Sequence, residues 1–285
     1  MKYLRETYDP FSQAFLRYGS GAAVLLAVSA LYLPGELRKA FSRSLSYLPL
    51  TCVLLIHQVC WTTACYGASP AVAQLTTKLS VVIIIFLSFV LFREERSVIR
   101  SPFYLGGTAL SFAGVAAVLM PGAALRAPVL DFYSILLLIV AMTWSVYVVW
   151  AKHLVTDLHP VAMFAVLASF TTIGLGLLSL TFGHPSGILA ASRHDTVVVI
   201  VSGIIPIAGA HPSYHYAQKY LGSALCSSVN LLNPIVTYLL ALAVFPGESL
   251  SVMQWIGGAI LLAGTFLVTW AGRRQSTIGD SAEQA

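Results

Sequence analysis

Charge is what this chain lacks. Only 9% of its 285 residues are charged while 58% are hydrophobic, whereas a soluble domain carries about one-quarter charged residues. Together with a mean hydropathy of +0.82, this excludes an ordinary water-soluble globule. Carboxylates are the scarcest groups: there are 11 Asp and Glu, and none lies inside the long apolar stretches given below. Cysteine is also sparse. Cys52, Cys60, Cys65 and Cys226 have no metal-ligand spacing and read as small buried apolar residues, so neither a disulfide framework nor a metal centre is expected. Cofactors are expected to be none. A cleavable signal peptide is not expected either, because the first ten residues are polar.

What the chain has is length of apolar sequence. Nine uncharged or nearly uncharged stretches stand at about 11–33, 47–67, 70–92, 103–121, 132–151, 160–182, 197–219, 224–246 and 252–271. Roughly 20 residues of helix cross about 30 Å of hydrocarbon. Lipid offers the backbone no hydrogen-bond partners, so each span must satisfy its own N–H and C=O groups as a helix. Turn residues such as Pro34-Gly35, Pro121-Gly122 and Gly183-His184-Pro185 separate the spans. The expected class is an all-α polytopic membrane protein of about nine transmembrane helices.

Two stretches repeat one another. LSVVIIIFLSFVLFREERS, followed by GTALSFAG, is echoed by NPIVTYLLALAVFPGESLS, followed by GAILLAG. Glu94 and Glu248 stand 154 residues apart, as do His57 and His211. Gly107 and Gly114 match Gly257 and Gly264 at an offset of 150, the first linker being longer. Internal duplication in so apolar a chain points to a transporter with its pathway between two halves. The halves are read as residues 1–126 with four helices, 127–272 with five, and 273–285 as a disordered cytoplasmic tail. Pro10 aligns with Pro160, so the helix at 132–151 has no counterpart. The expectation is a five-plus-five parent whose first helix is missing.

The net charge is +5, but the cations fall between spans and read as orientation signals, not as a nucleic-acid surface. With the carboxyl terminus in the cytoplasm, ten Lys and Arg face inward and four outward, leaving Arg17 and Lys78 within spans. That bias fits the positive-inside rule.

Candidate pathway residues follow from helical spacing. His211, Tyr214, His215 and Gln218 stand at i, i+3, i+4 and i+7 on one face. Gln74, Thr77 and Lys78 share a face in the third span; Ser227, Asn230, Asn233 and Thr237 form a stripe in the eighth. Gln13 and Arg17 lie in the first span and His57 with Trp61 in the second. Lys78 sits roughly 12 Å inside its span, where a cation costs at least about 2.5–3.5 kcal/mol. Arg17 is nearer the boundary and can snorkel. The bland alternatives are interhelical hydrogen bonds for the histidines, service to the backbone freed by Pro234 for Asn233, and structural roles at the span ends for Glu94 and Glu248. Trp144 reads as an ordinary aromatic.

The duplicated apolar helix ending in Glu, followed by a Gly-rich helix (Pro234 through Glu248, then Gln254-Trp255-Ile256-Gly257-Gly258), resembles the drug/metabolite transporter superfamily, specifically its EamA-like ten-helix members. The resemblance covers about residues 8–271. It implies two inverted repeats of a five-helix bundle that move small metabolites, amino acids or drugs across the inner membrane, often outward. It also implies that the missing first helix would have helped line the cavity.

Because the spans carry cations, imidazoles, amides and hydroxyls but no carboxylate, the expected solute is anionic or zwitterionic, such as an amino acid or organic acid. Lys78, Arg17, His57, His211, Tyr214, His215, Asn230 and Gln74 are the candidate substrate-binding residues. Proton coupling through His57, His211 or His215 is compatible with imidazole chemistry. The alternatives are a truncated, non-transporting remnant and a proton-coupled multidrug exporter, the latter disfavoured by the missing buried acid. No catalytic constellation is found, so no enzyme is expected. The expected partners are a small-molecule substrate and the lipid bilayer, with a homodimer as a further assembly to consider.

Overall fold

The structure is a computed structural model, and it describes residues 2–68, 73, 76–119, 131–233, 236 and 252–283. Its main helices in chain order are α1 (Pro10–Tyr32), α2 (Pro34–Ser42), α3 (Leu48–Gly67), α4 (Leu79–Leu91), α5 (Pro102–Leu119), α6 (Phe132–Asp157), α7 (Pro160–Phe182), α8 (Arg193–Gly203), α9 (His211–Leu221), α10 (Ser223–Val229) and α11 (Val252–Glu283), with short helical turns at Arg96–Ile99 and Ser186–Ala190. Proline opens α1, α2 and α7 at the first turn, where its missing N–H costs nothing. The Asp9 side chain caps α1 by accepting from the N–H groups of Phe11 and Ser12, and its other oxygen accepts from His184 N–H at 3.0 Å. Burial pushes the Asp9 carboxyl up, but a hydrogen bond from the Ser12 side chain together with those from the His184, Ser12 and Phe11 N–H groups outweighs it and holds it below its ordinary value.

The chain divides into two compact units, each drawing helices from both sequence halves. The first contains residues 1–68 and 131–220. In it α1 lies antiparallel on α7: Ser12, Phe15 and Gly19 meet Ser179, Gly176 and Thr172 in turn. These two helices are repeat counterparts, and the buried Ser12–Ser179 hydroxyl pair is 2.8 Å apart. Around them stand α3, α6, and the α8–α9 pair.

The second unit contains residues 69–130 and 221–285. Counterparts again pack on each other. Gly107 of α5 faces the Gly264 carbonyl, and Gly114 faces the Gly257 carbonyl. Each glycine thus meets the counterpart of the other, which is the reciprocity a local two-fold relation demands. Small residues let the two backbones approach closely where lipid supplies no hydrophobic drive. A core of Val81, Val115, Leu231 and Leu261 closes beside them.

Also in this unit, Glu95 is buried while Glu94 is exposed. The Glu95 carboxylate accepts from the N–H groups of Ser223 at 2.9 Å and Ala224 at 2.8 Å, capping α10 with negative charge at its positive end. Gly222, at φ +83°, sits against that carboxylate, a backbone conformation and a closeness that both favour glycine. The sequence singles out Glu94 at this span end; the capping role belongs to its neighbour.

Five helical segments among the described residues are long and apolar enough to cross a membrane: Pro10–Tyr32, Ser44–Gly67, Phe132–Val155, Pro160–Phe182 and Arg193–Leu221. About nine were expected along the whole chain; the described residues hold these five. The other apolar helices are shorter, namely Leu79–Leu91, Ser223–Leu232 and Trp255–Ala271. The third expected span is broken by a turn at Lys78, and the eighth tightens into a 3-10 turn at Asn230–Leu232 just ahead of Pro234. Thr237, Glu248 and Gln74 lie outside the described residues. Helix α11 runs on to Glu283, through most of the stretch whose polarity suggests a disordered tail. The architecture is an all-α polytopic membrane protein of inverted-repeat-like construction.

Candidate functional site

Rings gather in the first unit. The α9 face presents His211, Tyr214, His215 and Gln218, and α6 presents Thr143, Trp144 and Tyr147 toward it. Trp144 is the hub: its ring lies 5.4 Å from His57, 5.3 Å from Tyr147, 5.6 Å from His211 and 6.1 Å from Tyr214. Phe164 of α7 stacks on His211 at 4.8 Å and 6°. His57, His211, Tyr214 and His215 are therefore brought together.

Their hydrogen bonds fix which nitrogen carries the proton. Gln218 Nε2 donates to the Val148 carbonyl at 2.7 Å, so its Oε1 is turned to accept from His215 Nδ1–H at 3.0 Å. His215 Nε2 is then the acceptor, and the Tyr147 hydroxyl donates to it. His215 and Gln218 are wholly buried. For His57 the logic is the same. Thr143 spends its hydroxyl proton on the Ile139 carbonyl at 2.7 Å, so its oxygen accepts from His57 Nδ1–H at 3.2 Å. His211 makes ring contacts, and its nitrogens have no hydrogen bond among the described residues. His215 is thus held as a donor at Nδ1 and an acceptor at Nε2, and His57 as a donor at Nδ1. The third imidazole keeps its polar edge available.

Arg17 of α1 belongs to the same unit, and its Nε donates to the Ser202 carbonyl at 3.2 Å. Beside it Gln58 Nε2 donates to the Tyr18 hydroxyl at 2.9 Å. Lys78 and Asn230 meet in the second unit. The Lys78 Nζ donates to the Asn230 backbone carbonyl at 3.1 Å, and the lysine is 7% exposed. Among the described residues neither Arg17 nor Lys78 has a carboxylate partner, and no group of three His, Cys, Asp or Glu is arranged to hold a metal ion.

Sequence reasoning misses Trp144 and Tyr147. Both lie on α6, outside the stretches that the duplication pairs, so the duplication gives no reason to pick them. The signal available is spacing alone: Tyr147 stands three residues after Trp144 and four after Thr143, the spacings of helical neighbours.

The fold has relatives among solved structures. One, described only as "Crystal structure of protein", superimposes with a TM-score of 0.73 at 21% identity, over 93% of this chain and 89% of that one. At that identity the likeness speaks for the fold. The EamA-like transporter family model matches residues 1–120 and again 131–270. Nearly the whole chain is accounted for, once in each half, in keeping with an architecture in which equivalent helices pack on one another. The chain belongs to the EamA-like transporter family of the drug/metabolite transporter superfamily, multi-pass membrane carriers and not enzymes.

Proposed function

We propose that this transporter moves a small organic anion or zwitterion, such as an amino acid or organic acid, outward across the inner membrane by alternating access between its two helical repeats. The observation that carries the reading is the Lys78 ammonium. It is buried, it donates to a neutral carbonyl, and it has no carboxylate partner among the described residues. An ammonium has three N–H donors and a full charge, and one carbonyl satisfies only part of that demand. A solute carboxylate supplies the remainder. Within the same unit the Asn230 backbone carbonyl lies beside the ammonium.

Purified protein in liposomes tests this with labelled glutamate, glycine and tetraphenylphosphonium. Saturable flux of glutamate or glycine, with none for the phosphonium, is the expected result. Saturable flux of the cation alone would refute the reading.

The proposed orientation puts the carboxyl terminus in the cytoplasm. Reporter fusions after Gly35, Arg96 and Gln275 should read cytoplasmic, and fusions after Gly122 and Gly187 external. A cytoplasmic signal at Gly187 would overturn both the orientation and the repeat alignment.

A further inference from the structure

Between α8 and α9 the helix widens into a π segment, Ile204–Ala210. Such widening recurs at functional sites. Pro206 lies within it and has no N–H, so it cannot give the Ser202 carbonyl, four residues earlier, the donor an α-helix would supply. Arg17 Nε supplies one at 3.2 Å. The fit around this switch is close. A Cβ on Gly203 would strike the Arg17 carbonyl and Ser20 Oγ, and one on Gly21 would strike Ile207. Ser20 Oγ also lies 3.2 Å from the neighbouring Ile200 carbonyl. At the far end His211 N–H bonds back to the Pro206 carbonyl. The register of His211, and with it His215, therefore follows from how the π segment is held.

We infer that Arg17 is a positioning residue: by donating to the Ser202 carbonyl, to which Pro206 cannot give the α-helical N–H, it holds the π segment and so aims His211 and His215 at Trp144 and Tyr147. This differs from a solute contact in one decisive way. A backbone N–H introduced at position 206 can replace a hydrogen-bond donor to Ser202, but it cannot replace a guanidinium that binds a solute.

The test uses the full chain in lipid nanodiscs, with two readouts. One is hydrogen–deuterium exchange across residues 199–211; the other is the imidazole ¹⁵N spectrum of His215, which reports its Nδ1–H tautomer. Arg17→Met should speed exchange about tenfold, the factor expected when a buried carbonyl loses its donor, and should shift or broaden the His215 signals. Arg17→Met combined with Pro206→Ala should return exchange to within about twofold of Pro206→Ala alone and restore the tautomer signature. If Arg17→Met proves too unstable to purify, the comparison of Pro206→Ala with the double variant still decides. A double variant that matches Pro206→Ala supports the inference. Failure of Pro206→Ala to rescue, or an Arg17→Met protein whose exchange and His215 spectrum are unchanged, overturns it.

Discussion

Gly107→Ala should cripple the second unit, while Gly106→Ala, one residue away, should leave it intact. Both glycines lie in α5, so helix propensity favours alanine at each by up to about 1 kcal/mol. Packing separates them. A Cβ at Gly106 meets nothing within 4 Å, whereas at Gly107 it meets the Gly264 carbonyl at 2.7 Å, Leu267 Cβ at 2.9 Å and Val268 N at 2.9 Å. Two of those three are backbone atoms of α11 and cannot rotate aside. The helices must separate along their contact, and overpacking of this kind costs typically about 1–3 kcal/mol or more. Gly114→Ala should behave like Gly107→Ala, since its Cβ would meet Leu261 N and Cα and the Gly257 carbonyl. Yield and thermal unfolding in detergent measure the effect. The expected order is a large loss for Gly107→Ala and Gly114→Ala and none for Gly106→Ala. Equal behaviour of the three would refute the close reciprocal contact.

That pairing shows what can be read from the chain. The 150-residue offset linking Gly107 to Gly257 and Gly114 to Gly264 is visible in sequence, and the structure turns it into contact because counterpart helices lie on one another. Membrane class is equally legible, since recurring apolar stretches of about 20 residues match the thickness of a bilayer. The face bearing His211, Tyr214 and His215 follows from the helical period.

Other features depend on contacts that no local pattern encodes. Arg17 serves a carbonyl 185 residues away, so in sequence its place in an apolar span suggests a solute. Glu95 rather than Glu94 caps α10 because a 3-10 turn at Arg93–Glu95 rotates the pair relative to a straight helix. Hydropathy averages across local breaks, so it does not register the turn at Lys78 within the third expected span.

Lys78→Met should abolish flux of the anionic or zwitterionic solute while leaving the protein folded. Two effects on stability oppose each other. The Asn230 carbonyl keeps the Asn233 N–H, so losing the ammonium donor costs at most about 1–3 kcal/mol, and removing a cation from the membrane interior returns a comparable amount, about 2.5–3.5 kcal/mol on the insertion scale. Methionine keeps most of the stem's volume, so packing changes little. Thermal stability should therefore move by only a few degrees. Transport has no such compensation: truncating one side of a buried charge pair costs about 2–5 kcal/mol, at least roughly a thirtyfold weakening of apparent affinity. Lys78→Arg keeps both charge and donor and should retain measurable flux. Lys78→Gln keeps N–H donors but no charge, so it separates the two roles. If Lys78→Gln transports as well as the parent, the charge is dispensable and the anion reading fails, leaving Lys78 as a backbone donor only. If Lys78→Gln and Lys78→Met both lose flux while remaining as stable as the parent, the charge itself recognises the solute.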